Sequence, residues 1–184
     1  ENSALLPAWL RAQGVAPIIA PLPARDGRLW AELEAWKVLL YPYIDGQDGY
    51  AVALSPSQWR EFGAALRQVH AAHPPAEILA RLPREDYAPT QRKATLEYLR
   101  RAETESFTDP VAARAAAFLR EKQAEIRTLV ERAALYARQM RAQARELVLC
   151  HTDLHAGNLH ITPGGDFYIV DWDQPLLAPR ERDL

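Results

Sequence analysis

The stretch from Leu147 to Asp173, LVLCHTDLHAGNLHITPGGDFYIVDWD, restricts this chain more than any other. An apolar strand (Leu147 to Cys150) enters a polar loop (His151 to Asn158), and a short strand (Leu159 to Thr162) follows. Pro163-Gly164-Gly165-Asp166 makes a turn, and a second strand (Phe167 to Val170) delivers Asp171. The tight hairpin returns Asp171 to face Asp153 and Asn158. A carboxylate, an amide oxygen and a second carboxylate then converge, and hard oxygen ligands of this kind suit Mg²⁺ shared with the phosphates of a nucleotide. Asp153 is left to orient a hydroxyl and take its proton. Two simpler readings compete. His151, Asp153 and His155 alternate, so on an extended strand they share a face and could ligate zinc, which leaves Asn158 and Asp171 without a role. Alternatively the Asp, Asn and Gly residues are only turn formers, which accounts for Pro163 to Asp166 but not for Asp171 and Asp173 flanking Trp172 after an apolar strand.

His151-x-Asp153-x-x-x-x-Asn158, followed by a strand ending in Asp171, resembles the catalytic and metal-binding loops of the protein-kinase-like fold. With CHTDLHAGN and VDWD around those positions, the chain is similar to the aminoglycoside phosphotransferase family, which includes relatives acting on choline, homoserine and methylthioribose. The run VDWDQPLLAPRERDL resembles the spectinomycin phosphotransferase branch. The resemblance runs from about Leu5, strongly after Val148 and weakly before Trp36. It implies an α+β, protein-kinase-like fold: residues 1–41 as a remnant of the N-terminal lobe, with a helix and two strands up to the hinge, and residues 42–184 as a mainly helical C-terminal catalytic lobe carrying the hairpin.

The same resemblance implies ATP and Mg²⁺ as cofactors and a hydroxyl of a small molecule as acceptor, an aminoglycoside or aminocyclitol such as spectinomycin. A small-metabolite kinase or a nucleotide-binding pseudokinase is the alternative. Asp153 takes the catalytic role, Asn158 and Asp171 hold Mg²⁺, His151 braces the loop, and Asp183 is the structural Asp that accepts hydrogen bonds from the catalytic-loop backbone. Tyr41-Pro42-Tyr43-Ile44 resembles the hinge, so that Leu40, Tyr41, Tyr43 and Ile44 are expected to meet the nucleotide; a plain Pro-terminated strand fits that stretch equally well. His155 is expected near the phosphate and the acceptor, in contact or in packing. Asp173 is either a further metal-site carboxylate or an acceptor that orients the loop. Glu1 stands about where the family has the Glu that pairs with its phosphate-gripping Lys. No glycine-rich loop and no Lys on a strand preceding a helix lie upstream of Tyr41, and both ends look cut, so the expectation is an incomplete, inactive piece of a larger protein.

With 48% hydrophobic and 25% charged residues over 184 positions, the chain suits one globular core and a small second lobe, and excludes a disordered chain. A net charge of −2 argues against a nucleic-acid binder. One cysteine, Cys150, excludes an intrachain disulfide and fits a reducing compartment. No apolar run approaches the roughly 20 residues of a membrane span, so a cytoplasmic protein without a membrane partner is expected.

Elsewhere Leu5 to Gln13 reads as a short helix ended by Gly14, Val15 to Pro23 as extended, and Gly27 to Leu33 with Ala35 to Tyr41 as antiparallel strands on a half-buried surface. Asp45 to Gly49 reads as a linker, since its glycines match no phosphate-loop spacing. Ser55-Pro56-Ser57-Gln58 is a capping box opening a helix with Trp59, Phe62, Leu66 and Val69 on one face; His70 and His73 near its end suit the helix dipole better than a metal. A helix over Thr90 to Glu103 follows. From Asp109 to about Ala144 the periodicity predicts a kinked helix or two abutting ones, with Phe118, Ile126, Leu129, Val130, Ala133 and Met140 inward. Glu85, Asp86, Glu103 and Glu105 are either acceptor-attracting or plain surface charges.

Overall fold

The computed structural model describes residues 2–143 and 145–184; Glu1, with its expected pairing role, and Ala144 lie outside the described residues. The chain forms two compact units, one of Glu1–Arg84 with Glu146–Leu184 and one of Glu85–Arg145.

In the first unit, α1 (Asn2–Ala12) buries Ala4, Leu6 and Leu10, which recur at helical spacing. The extended segment after it joins a sheet: Ile18 bridges Ile169 in parallel, and the Ile169 N–H donates to Pro17 O at 2.8 Å. β1 (Ala31–Leu33) and β2 (Trp36–Val38) form an antiparallel hairpin, with Glu34 at φ 54° in its turn. Both strands are shorter than expected, and every residue in them is exposed, so the half-buried surface inferred from their composition is not there. Branched and aromatic residues suit a pleat, but only packing against a second layer buries one.

The supposed linker is a strand. β3 (Gln47–Asp48) pairs antiparallel with β5 (Leu159–Ile161), which pairs with β6 (Phe167–Ile169), so the segment after Ile44 lies directly on the β5–β6 hairpin. Gly46 permits this approach, because a Cβ there would lie 2.5 Å from Ile161 O and 2.6 Å from His160 Nε2. Two glycines in five residues concealed the strand from a propensity reading.

The capping box is realised in α2 (Pro56–His70): Gln58 N–H donates to Ser55 Oγ at 3.3 Å, and Ser55 N–H donates to Gln58 Oε1 at 2.7 Å. Ala65, Leu66 and Val69 are buried, and Phe62 meets Phe167 edge-on at 6.4 Å. Trp59, expected on that face, is 55% exposed and leans on Phe62, because the core does not extend under the first turn. A short α3 (Ala76–Leu79) follows. β4 (Val148–Cys150) is fully buried and pairs antiparallel with β7 (Leu176–Ala178), a strand the sequence reading did not place. Leu6, Leu10, Ile18, Val69, Leu149, Ile169 and Trp172 belong to one apolar core that backs the hairpin.

The second unit is helical: α4 (Thr90–Thr104), α5 (Pro110–Glu121) and α6 (Gln123–Arg141). The abutting alternative holds, with α5 and α6 meeting at Lys122, and Asp109 Oδ1 caps α5 by accepting the Ala112 N–H at 2.7 Å. Leu99, Ala102, Ala116 and Ala137 are buried, and Ile126, Val130 and Met140 are half-buried. Phe118, Leu129 and Ala133, expected inward, are exposed. The inward stripe runs through small alanines, which let helices approach closely and leave the bulky neighbours outside. Glu85, Asp86, Glu103 and Glu105 are engaged within this unit: Glu85 and Asp86 accept the N–H groups of Tyr87 and Ala88, Glu103 pairs with Arg127, and Glu105 pairs with Arg101.

Gly46→Ala should destabilise the first unit by about 1 to 3 kcal/mol, the usual cost of forcing an added group into a packed site. A urea titration of the variant should show a lower midpoint with an unchanged slope.

Candidate functional site

The polar loop after β4 is held from behind by one carboxylate. Asp183, whose side chain is 0% exposed, accepts the Thr152 N–H on Oδ1 at 2.7 Å and the His151 N–H on Oδ2 at 3.0 Å, and His70 Nε2 lies 2.9 Å from Oδ2. Burial pushes the Asp183 carboxyl up, but the bonds from His70, Thr152 and His151 outweigh it and hold the group below the usual carboxylate range. The sequence reading had put His70 on the helix dipole instead. No local pattern could have linked it to Asp183, since the two are 113 positions apart.

His70, Cys150 and Asp183 place ligand-type atoms within 4.8 Å of one another. They do not suit a metal. Cys150 Sγ donates to Ala178 O and Pro179 O, and burial followed by the Asp183 carboxylate pushes its thiol up to about 12.

His151 is the second brace. It is 1% exposed, its Nδ1 accepts the Asp153 N–H at 3.3 Å, and its Nε2 donates to Val170 O at 2.9 Å. One neutral tautomer satisfies both bonds, and burial lowers the imidazole's pKa against the pull of the Val170 carbonyl and of the Asp183, Asp153 and Asp171 carboxylates. The ring therefore ties the start of the loop to the end of β6. Trp172 packs edge-on against it at 4.6 Å and donates its Nε1–H to Ile169 O.

Asn158 ends a short 3₁₀ turn (Ala156–Asn158), and its carbonyl accepts the Val170 N–H at 3.0 Å, so Asn158 and the residue before Asp171 face each other in register. Both side-chain hydrogen bonds of Asn158 run from Nδ2, to Asp153 O at 2.8 Å and Asp153 Oδ2 at 3.3 Å. That leaves the amide oxygen uncommitted among the described residues. Asp171, at φ 65°, is exposed, and its carboxylate accepts no hydrogen bond among the described residues. A free amide oxygen and a free carboxylate at adjoining strand ends are the hard donors Mg²⁺ takes, so this donor set fits the ion. Zinc fits less well, since His151 has both ring nitrogens in hydrogen bonds.

Beside Asp171 lies a cavity of about 280 Å³ lined by Pro7, Ile19, Tyr41, Ile169, Val170, Asp171, Trp172 and Asp173. Tyr41, of the four residues expected at a hinge, is in that lining; its hydroxyl donates to Ser3 O at 3.0 Å, and burial and then the Asp173 carboxylate push its phenol up. Leu40, Tyr43 and Ile44 are outside the lining. Leu40 O already accepts the Leu22 N–H, Ile44 O is bonded by His160 Nε2, and Tyr43 is 89% exposed. Thr152 was missed by the sequence reading: it sits at φ 78° with its hydroxyl on Gln174 O at 2.9 Å, a strained loop position that composition does not reveal.

A phosphotransferase enzyme family model matches residues 5–184. The chain belongs to that phosphotransferase enzyme family. It is 30% identical over 182 residues to Protein StrN of Streptomyces griseus, covering 95% of this chain and 55% of that protein. Spectinomycin phosphotransferase APH(9)-Ia in complex with ADP and spectinomycin superposes with a TM-score of 0.88 at 32% identity, over 97% of this chain and 55% of that one. The AMP-bound complex of the same phosphotransferase gives 0.87 at 31% identity, over 100% and 58%. The fold is thus the protein-kinase-like one expected, and the chain spans a little over half the length of these relatives. No helix among the described residues is long and apolar enough to cross a membrane.

Asp183→Ala leaves two backbone N–H groups and His70 without their acceptor, and should cost about 3 to 5 kcal/mol, as removal of one partner from a buried charged cluster does. Chemical denaturation measures it. A pH series adds a sign. His151 has a folded pKa below its ordinary 6.5, so its contribution is complete above about pH 6.5 and is lost as the pH falls below it. Asp183 has a folded pKa below 3.8, so its contribution persists to lower pH and is lost in a second step. Unfolding midpoints should therefore fall on acidification from about pH 6.5, and His151→Gln should flatten the first step.

Proposed function

We propose that this chain carries the catalytic loop of an ATP- and Mg²⁺-dependent phosphotransferase acting on a hydroxyl of an aminocyclitol such as spectinomycin. The observation that carries the reading is the joining of Asp153, Asn158 and Asp171 through His151 and the Asn158–Val170 backbone bond. Similarity at 32% identity to a phosphotransferase bound to ADP and spectinomycin supports the nucleotide and the acceptor class.

Asp153 lies on the loop with its side chain 63% exposed, where it accepts the hydrogen bond of an incoming hydroxyl and takes its proton as the oxygen bonds to the terminal phosphorus of ATP and the P–O bond to ADP breaks. Asn158 Oδ1 and Asp171 are the groups that would hold Mg²⁺, which neutralises charge on the phosphates when bound. Tyr41 and Ile169 border the apolar cavity beside Asp171, where a flat heterocycle finds both an aromatic and an aliphatic wall. His151 and Asp183 act on the backbone rather than on the reactants. In this reading residues 1–41 belong to the N-terminal lobe and residues 42–184 to the catalytic lobe.

The assay uses the protein that carries this chain at its full natural length, with Mg·ATP and a panel of spectinomycin, an aminoglycoside, choline and homoserine. Turnover confined to choline or homoserine would replace the acceptor class while keeping the reaction. Asp153→Asn should lower kcat by roughly 10² to 10⁴ with nucleotide affinity kept, the range for a positioned acid-base group. Asp171→Ala should instead weaken Mg²⁺-dependent nucleotide binding; equal Mg·ATP affinity by titration would remove it from the metal set.

A further inference from the structure

His155 is exposed on the loop, yet its ring is held on several sides. Nδ1 accepts the Gly157 N–H at 3.0 Å, the Tyr50 hydroxyl lies 3.4 Å from the same nitrogen, and the Tyr50 ring stacks on it with centroids 6.0 Å apart. Gly157 makes room for the pair: a Cβ there would lie 2.8 Å from His155 Cε1 and 3.1 Å from Tyr50 Cε2. Tyr50 is itself placed by backbone bonds, since Gly49 N–H donates to Ala156 O at 2.8 Å and the Tyr50 N–H donates to Asp48 Oδ1 at 2.9 Å.

A ring nitrogen that accepts a backbone N–H carries no hydrogen, so the imidazole hydrogen is on Nε2. Nε2 lies 3.8 Å from Asp153 Oδ2, and Asn158 Nδ2 approaches that same oxygen at 3.3 Å. Asp153 Oδ1 accepts no hydrogen bond among the described residues. The His155 gap exceeds a hydrogen bond by about 1 Å, and contacts of this kind tighten when reactants bind.

We propose that His155 is a positioning residue for phosphoryl transfer. With Asn158 it holds Asp153 through Oδ2, so that Oδ1 is the oxygen presented to the acceptor hydroxyl. The strand β3 and Tyr50, which follow the hinge, thereby set the orientation of the reacting carboxylate. This rests on the reading of Asp153 as the hydroxyl-orienting group, and the test separates the two.

The full-length protein is assayed with Mg·ATP and spectinomycin as Asp153→Asn, His155→Phe, His155→Gln and the Asp153→Asn/His155→Phe pair. His155→Phe keeps the stack on Tyr50 and removes the Nε2–H. It should lower kcat about 10- to 100-fold, the scale of a small misplacement of a reacting group, with KM for ATP unchanged. His155→Gln, which keeps an N–H donor, should restore most of that, and His155→Phe should add nothing on the Asp153→Asn background. A ¹⁵N spectrum of the unaltered protein should show the Nε2–H tautomer for His155, with the Nε2 signal moved by Asp153→Asn; this readout needs neither turnover nor a well-behaved Phe variant. If Asp153→Asn keeps full kcat, the functional reading falls and the positioning role with it. If Asp153→Asn is impaired but His155→Phe is not, or Gln is as poor as Phe, or the losses multiply, or the hydrogen is found on Nδ1, the positioning role alone is overturned.

Discussion

The loop that opens at His151 is anchored on the Asp183 carboxylate. Its two oxygens take the N–H groups of His151 and Thr152 and face His70 Nε2, and no part of its side chain reaches solvent. Those bonds fix consecutive peptide groups at the mouth of the loop, where Thr152 has left the allowed region of a β-branched residue at φ 78°. Such a conformation costs on the order of 1 to 3 kcal/mol and persists only where its surroundings over-determine it. The carboxylate supplies that determination from below, and the Thr152 hydroxyl on Gln174 O supplies it from above.

The second constraint mirrors the first at the far end of the hairpin. Asp171 is also a non-glycine residue at positive φ, 65°, directly after Val170, whose carbonyl accepts from His151 and whose N–H donates to Asn158 O. With both backbone groups of Val170 held, the chain cannot relax Asp171 by sliding β6 along β5. Two unfavourable residues, Thr152 and Asp171, are thus tied through one buried imidazole, and the strain falls where a loop must turn a carboxylate outward.

Much of this was legible because it is local. The strand, loop, strand, turn and strand from Leu147 to Asp171 follow from residue types within a few positions of each other, and the observed strands differ only at their ends. The capping box at Ser55 was legible for the same reason. What failed was long-range. The partner of β4 is Leu176–Ala178, three residues with no strand signature of their own, and β3 exists only because Gly46 lets two backbones meet. Periodicity marked the span from Asp109 as helical, kinked or in two pieces, but mis-sorted Phe118, Leu129 and Ala133, since an apolar stripe does not say whether Phe118 or Ala116 is turned inward. Of the hinge residues, which resemblance alone suggested, Tyr41 reaches the cavity beside Asp171 and Tyr43 does not.

On the proposed phosphotransferase reading, the burial pattern of the loop also bears on where acceptor choice resides. The groups that shape the loop, His151, Asn158 and Asp183, are buried, while Asp153, His155, Asp171 and Asp173 are partly or fully exposed. A frame that is dry behind and wet in front can keep its reacting geometry while the surface that meets the acceptor changes. Replacing a buried donor on Asp183 moves the backbone of the whole loop; replacing an exposed neighbour of Asp153 alters one oxygen's environment. On that reading, selectivity among hydroxyl compounds is a property of the exposed side chains around these carboxylates, and Tyr50, stacked on His155 and three-quarters exposed, is an aromatic one among them.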